Sequence, residues 1–217
     1  MSWDQDLAQS VEEELLFDPK VDSTAVAVAA HAGKVTLRGT VGSLAEKVEA
    51  KKAAERVFGV TSVDNDLQVR LLNESRRADA DLRGDVLQAL MLDSLVPKTV
   101  DAEVSDGLVT LSGTVEWKYQ RDEAEHVASH IVGALDVLDE IAIRHPQPNA
   151  GDVKESIKKA FKRNAALDAG ELDVSTENGT VTVSGTVSSW AEHDEAVDAA
   201  WSAPGVTSVR DRMTVAY

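Results

Sequence analysis

Apolar and polar residues follow two different periods along this chain, and the same succession of periods occurs three times. Each succession opens with apolar residues three or four positions apart, the spacing of one face of a helix. Two segments follow in which apolar residues fill every second position, as in strands with one buried face. A second helical stripe, rich in alanine, and a third alternating segment complete the set. The pattern predicts three tandem units with the order helix–strand–strand–helix–strand.

The three predicted units span residues 1–72, 78–145 and 150–217 and are joined by short linkers. A strand–helix–strand step between parallel strands crosses right-handed. Each unit should therefore hold a mixed three-stranded sheet, with both helices covering one face. The predicted fold class is α+β.

The first helix of each unit carries an inward apolar stripe and an aspartate near its start. A carboxylate there complements the helix dipole, and Asp4, Asp79 and Asp152 occupy this place. The predicted inward positions are Leu7, Val11, Glu14, Leu15 and Leu16 in the first unit; Leu82, Val86, Leu87, Leu90 and Met91 in the second; and Val153, Ile157, Ala160 and Phe161 in the third.

A seven-residue phrase, Val-Thr-x-x-Gly-Thr-Val, marks the second strand of each unit at 35–41, 109–115 and 181–187. A glycine inside a strand indicates a bulge or a close backbone approach. We expect the following helix to pack too closely for a Cβ atom there; a ligand approaching the backbone is the functional alternative. The glycines concerned are Gly39, Gly113 and Gly185.

Other glycines mark the turns and the helix ends. Asp106-Gly107 and Asn178-Gly179 predict type I′ hairpin turns, and Ala32-Gly33 has the same place in the first unit. A last strand is predicted to close each unit, over 63–69, 137–143 and 209–215. The second helices are predicted to stop at Gly59, Gly133 and Gly205.

These motifs resemble the BON domain of bacterial osmotic-stress and nodulation proteins, three times over. The resemblance rests on the Val-Thr-Leu-x-Gly-x-Val phrase, the helix behind it and the Gly-Val-x-x-Val entry to the last strand at 59–63 and 205–209. The middle copy departs from this entry at 133–137. The resemblance implies non-catalytic modules. It implies phospholipid binding at the cell envelope for many members and potassium binding for one cytosolic branch.

The formal net charge of −16 limits the partners. Nucleic-acid binding needs a basic stripe that releases counterions, and the sequence offers none, so we expect no nucleic-acid partner. An anionic membrane would repel the chain as a whole. Cations gather only on the first helix of the third unit, either as a solvated face or as a lipid or partner contact. They are Lys154, Lys158, Lys159, Lys162 and Arg163.

Two aromatic residues and two histidines are further candidate contacts. Trp117 and Trp190 start the second helices of their units, where they either pack between units or form a partner or lipid contact. His126 and His130 lie four apart on one helix, a spacing that suits a metal ion or simply a solvated face. A potassium site built from backbone carbonyls would leave no side-chain signature. Cysteine is absent, which excludes disulfides and thiolate zinc sites.

No acid–base or nucleophile set recurs across the three copies, so we expect no enzyme activity. The N-terminal residues 1–6 show no basic start and no apolar run, and no segment approaches the ~20 apolar residues of a membrane span. The sequence therefore predicts a cytoplasmic, stress-linked binding protein for a potassium-like cation or a protein partner. The alternative is a phospholipid- or envelope-binding module.

Overall fold

A computed structural model describes residues 3–72, 76–144, 150–164, 167 and 170–216. The first repeat comprises α1 (Trp3–Phe17), a 3-10 turn (Ser23–Ala25), β1 (Val26–His31), β2 (Lys34–Val41), α2 (Leu44–Glu55) and β3 (Ser62–Val69). The second comprises α3 (Asp79–Leu92), β4 (Val100–Ser105), β5 (Leu108–Val115), α4 (Lys118–Ser129), β6 (Asp136–Asp139) and β7 (Ala142–Ile143). The third comprises α5 (Ala150–Arg163), β8 (Leu172–Glu177), β9 (Thr180–Val187), α6 (Trp190–Trp201) and β10 (Ser208–Val215).

The chain divides into two compact units. One contains Met1–Thr114 and Tyr119–Ala142, and the other contains Val115–Lys118 and Ile143–Tyr217. The first and second repeats thus contribute most of one unit, and the third repeat most of the other.

The sheets confirm the predicted α+β class. The middle strand of the first sheet, β2, pairs antiparallel with β1 and parallel with β3, and β9 does the same between β8 and β10. In the second repeat the predicted single last strand is wrong, because β6 and β7 pair separately with β5. The Asp139 carboxylate accepts the Ile141 backbone N–H at 2.9 Å, but the equivalent bonds occur in the unbroken β3 and β10, so this bond does not explain the break.

The repeated phrase alternates between the core and an open face. Val35, Leu37 and Val41 of β2 are buried, whereas Thr36 and Thr40 between them are only half-buried. In the first repeat the buried stripe of α1 and the alanines of α2 complete one apolar cluster, and the third repeat has its own. Because alanine side chains are short, they let the helix backbone lie close to the sheet.

The turn predictions are confirmed in all three repeats. Ala32, Asp106 and Asn178 have φ of 49°, 52° and 48°, and a glycine with positive φ follows each. Two consecutive residues with positive φ define the type I′ turn.

The predicted reason for the glycine inside the phrase is wrong. A Cβ atom at Gly113, where φ is 122°, would lie 2.1 Å from the carbonyl oxygen of Thr99, just before β4. At Gly39 and Gly185 the corresponding carbonyls of Ala25 and Glu171 would lie 1.9 and 2.0 Å away. The crowding therefore comes from the start of the neighbouring strand and not from the helix that follows.

The aspartate at the start of the first helix does more than complement the dipole. Asp79 accepts the backbone N–H groups of Asp106 and Gly107 at 2.8 and 3.0 Å, which fastens α3 to the hairpin turn. Asp4 accepts the N–H of Ala32 at 2.9 Å in the same way. The side chain of Asp152, the third predicted residue, lies outside the described part of the chain.

The open faces of the first and third sheets differ in charge. Lys34 pairs with Asp64 at 2.6 Å and Arg38 with Asp66 at 3.4 Å, so β2 and β3 neutralise each other. At the corresponding positions the third sheet has two neutral residues on β9, Thr180 and Ser184, and two exposed arginines on β10, Arg210 and Arg212.

Candidate functional site

Large apolar residues lie exposed at the end of the first helix in two repeats. Leu16 and Phe17 end α1 and are 78% and 83% exposed, although Leu15 beside them is buried. Phe58, just after α2, is also exposed. The prediction that Leu16 belongs to the inward stripe is therefore wrong.

The second repeat shows the same three exposed positions. Met91 and Leu92 end α3 and are 70% and 73% exposed, and Val132, after α4, is exposed as well. The prediction that Met91 faces inward is also wrong. Single exposed apolar residues are ordinary on protein surfaces. Recurrence at the same three positions in two repeats is not scatter, and exposed apolar groups of this kind mark interaction sites. We call these six residues the tip residues.

The third repeat replaces the tip with charge. Lys162 and Arg163 end α5, and Pro204 follows α6, at the corresponding positions. Both cations are exposed. Of the other predicted contacts on this helix, Lys158 is half-buried and Lys159 lies 3.9 Å from Glu155.

An ion-pair network holds the end of α1 against the end of α2. The Arg56 guanidinium contacts Glu14 at 2.9 Å and Asp18 at 2.6 Å. The hydrogen bond from the Lys20 backbone N–H has the largest effect in lowering the pKa of the Asp18 carboxyl, and the hydrogen bond from Arg56 lowers it further. The bond to Asp18 in turn raises the pKa of Arg56. The two acids beside the apolar tip of the first repeat are therefore paired with a cation.

This repeated architecture matches a known family model. The model for the BON domain matches residues 4–70, 78–145 and 149–217. The chain belongs to the BON family. The resemblance inferred from the phrase and its flanking glycines is confirmed, and the family is generally non-enzymatic.

Other proteins resemble this BON chain to different degrees. Osmotically-inducible protein Y of Escherichia coli (strain K12) is 34% identical over 143 residues, which are 64% of this chain and 71% of that protein. Two structures of CdsD, described as a structural protein of the type III secretion system of Chlamydia trachomatis, are 16% and 15% identical. They cover 97% and 98% of this chain, and 92% and 98% of their own, each with a TM-score of 0.28. A likeness at that score carries no structural or functional argument.

The family glycines have clear structural roles in the BON repeats. Besides the three strand glycines, Gly59, Gly133 and Gly205 have φ of 93°, 111° and 90°, the conformation expected of residues that end a helix. These roles belong to the fold, and no ligand contact follows from them.

The remaining predicted contacts are two half-buried tryptophans and two exposed histidines. Trp117 and Trp190 are half-buried, and the Trp190 ring meets the His193 ring edge-on with centroids 4.8 Å apart. The rings of His126 and His130 lie 4.2 Å apart, and His130 Nδ1 is 2.8 Å from the His126 carbonyl. Three or more metal-ligating side chains do not gather anywhere in the described residues. A metal site at the histidine pair stays a prediction. A calorimetric zinc titration that gives no heat of binding would exclude it.

A cluster that sequence reasoning missed surrounds His193 in the third BON repeat. Its Nε2 lies 2.7 Å from Asp211 on β10 and its Nδ1 lies 3.0 Å from Asp194. The hydrogen bond to Asp194 has the largest effect in raising the pKa of the imidazole, and the bond to Asp211 raises it further, whereas burial lowers it.

The same two positions link the second helix to the last strand in every BON repeat. In the second repeat Arg121 pairs with Asp139, and in the first the Asn65 amide donates to the Lys47 carbonyl at 2.7 Å. In all three repeats the Asn or Asp side chain on the last strand also accepts a hydrogen bond from the backbone N–H of the residue two positions later. His193 therefore belongs to a structural clamp, and the recurring Asn or Asp could have revealed it.

Within the described residues, none of the helices has the length and the apolar content that crossing a bilayer requires.

Proposed function

We propose that this BON protein is a non-catalytic, stress-linked binding protein whose tip residues hold a protein partner. The observation that supports the proposal is the recurrence of three exposed apolar side chains at the same positions of two repeats. The stress link is supported by the 34% identity to osmotically-inducible protein Y. The family's generally non-enzymatic character supports the absence of catalysis.

The chemistry around the tips defines the partner. Leu16 and Phe17 lie next to Glu14 and Asp18, and Leu92 lies next to Asp93. Because Arg56 pairs with both Glu14 and Asp18, the apolar side chains themselves define the partner, which should offer an apolar surface. Two tips on one chain would also raise the avidity for a partner that offers two such surfaces.

Site-specific photocrosslinking in cells tests this proposal. A photoreactive phenylalanine analogue replaces Phe17 in one variant and Leu92 in another, with exposed Gln9 and Gln88 as matched control positions. We expect both tips to capture the same protein and the controls to capture none of it. Adducts no stronger than at the controls, or unrelated adducts at the two tips, would contradict the proposal.

A stability measurement separates binding from folding. Phe17→Ser should change the free energy of unfolding by no more than about 0.5 kcal/mol, because the side chain is already exposed. Leu15→Ser should cost several times more, since Leu15 is 1% exposed. A Phe17→Ser variant that loses as much stability as Leu15→Ser would refute a purely binding role for Phe17.

Phospholipid binding through the third repeat is a second candidate. Exposed Lys162 and Arg163 stand where the other repeats have apolar tips, and cations of this kind attract anionic lipid headgroups. The protein should then co-sediment with anionic liposomes at low salt, and K162Q/R163Q should lower the bound fraction. No sedimentation of the unaltered protein would exclude this candidate.

Potassium binding and cytoplasmic location remain proposals. A carbonyl-built site should raise the melting temperature in KCl over NaCl at equal ionic strength, and equal melting temperatures would remove it. Fractionation of the producing cells tests the location.

A further inference from the structure

A cleft of about 640 Å³ lies in the first compact unit, and none of the tip residues lines it. Its walls are the end of β3, the chain that leads into α3, and the hairpin turn and helix stop of the second repeat. Arg70, Arg76 and Arg77 all line it. Three guanidinium groups around one cleft are a local concentration of positive charge in a chain whose net charge is −16.

The cleft arginines are poorly neutralised compared with other cations of the same unit. Arg70 and Arg76 have no ion pair within 4.0 Å in the described residues, and Arg77 has only Asp85 at 3.8 Å. By contrast Lys34 and Arg56 each contact a carboxylate at 2.6 Å. Guanidinium groups left this way in an acidic protein are available to an anion from solution.

Two acids line the cleft beside the three arginines. Both oxygens of Asp79 accept backbone N–H groups of the hairpin turn, so its hydrogen-bonding capacity is largely occupied. Asp106 is the other acid, and it lies on the exposed turn itself. With Asp85 beside Arg77, the acids near the cleft equal the arginines in number, so the capacity to bind an anion lies with Arg70 and Arg76, which have no ion pair in the described residues.

Gly133 lets one of the arginines approach the backbone. A Cβ atom there would lie 2.8 Å from Cγ of Arg77, so only glycine leaves room for the arginine stem. In the first repeat a Cβ atom at the equivalent Gly59 would lie 3.3 Å from the ring of Trp3. The second repeat therefore has a cation where the first has an aromatic ring.

We propose that this arginine cleft binds a small oxyanion of two or more negative charges, with a phosphate group as its preferred chemistry. Guanidinium groups donate two parallel N–H bonds to such an anion, which makes arginine well suited to phosphate recognition. The cleft volume falls within the range of about 300–1,000 Å³ that is typical of small-ligand sites. This site is independent of the partner contact proposed for the tip residues.

Calorimetric titration tests the proposal. Inorganic phosphate, pyrophosphate and succinate are titrated into the full-length protein at one ionic strength that is set with NaCl. We expect one site per chain, with pyrophosphate binding more tightly than phosphate and phosphate more tightly than succinate. R70Q/R76Q should weaken pyrophosphate binding at least tenfold.

The chain offers a charge-matched control. R210Q/R212Q removes two arginines that are also exposed and also lack an ion pair in the described residues, but from the sheet of the third repeat. It should bind pyrophosphate within twofold of the unaltered protein. Because all four arginines are exposed, both variants should fold, which far-UV circular dichroism checks.

Three results would overturn the proposal: no heat from the unaltered protein at millimolar pyrophosphate, equal affinity in R70Q/R76Q, or an equal loss in both double variants. Succinate binding as tightly as phosphate would overturn the phosphate preference. A tip variant such as Phe17→Ser should bind pyrophosphate normally, so failure of this site and failure of the tip proposal give different results.

Discussion

Replacing Gly113 with alanine should destabilise the second repeat strongly. The new Cβ atom would lie 2.1 Å from the Thr99 carbonyl oxygen, whereas ordinary contacts begin near 3.4 Å, so β4 and β5 must separate by more than 1 Å. Overpacking of this kind costs about 1–3 kcal/mol. Holding alanine at φ of 122° adds about 1–3 kcal/mol. The total of about 2–6 kcal/mol is a large part of the stability of a small domain.

Hydrogen exchange read by mass spectrometry measures this effect in one repeat at a time. A loss of about 2–6 kcal/mol should speed exchange in β4 and β5 by about 30- to 20,000-fold, since 1.4 kcal/mol is a factor of ten. Peptides from β2 and β9 should exchange as before. Gly39→Ala and Gly185→Ala should show the same effect in their own sheets, because their carbonyl neighbours are equally close.

Gly84→Ala is the matched control. Gly84 lies within α3 of the same repeat, and a Cβ atom there meets nothing within 4 Å. Alanine should stabilise the helix by about 0.5–1 kcal/mol and slow exchange in α3. If Gly113→Ala changed exchange less than threefold, the carbonyl contact would not be what requires glycine.

Two further predictions concern single side chains. In a urea melt, Asp79→Ala should lower the free energy of unfolding by about 1–3 kcal/mol, because it leaves two turn N–H groups without their acceptor. Asp81→Ala, on the exposed side of the same helix turn, should lower it by less than about 1 kcal/mol. Equal losses in the two variants would refute the fastening role of Asp79. The raised pKa of His193 means that its stabilisation is fully present below the ordinary value of about 6.5 and is lost as pH rises through the folded-state value. Urea melts from pH 5.5 to 9 should therefore show the protein losing stability relative to His193→Gln as pH rises; parallel curves would contradict this.

The sequence predicted the elements that depend on neighbouring residues. Asn178-Gly179 needs positive φ at two consecutive positions, and that requirement is local. The helical period likewise located Leu15 in the core. It did not distinguish Leu16 from Leu15, because the period cannot show how wide a face the sheet covers.

Long-range pairing explains what the sequence could not show. Gly113 is constrained by Thr99, which only the strand register brings beside it. Asp211 reaches His193 only because β10 returns beside α6. The arginine cleft draws on residues from two repeats, so no single repeat predicts it.

The charge difference between the open sheet faces bears on how three similar repeats fold without exchanging strands. During folding, β10 could compete with β3 for the middle strand β2, since both follow the same Gly-Val-Thr-Ser-Val entry and the hairpins they join are nearly identical. In that exchanged pairing Arg210 and Arg212 would lie where Asp64 and Asp66 now neutralise Lys34 and Arg38. Like charges on neighbouring strands repel, so the wrong last strand is disfavoured as it docks. The differing surface charges thereby help each hairpin to select its own last strand.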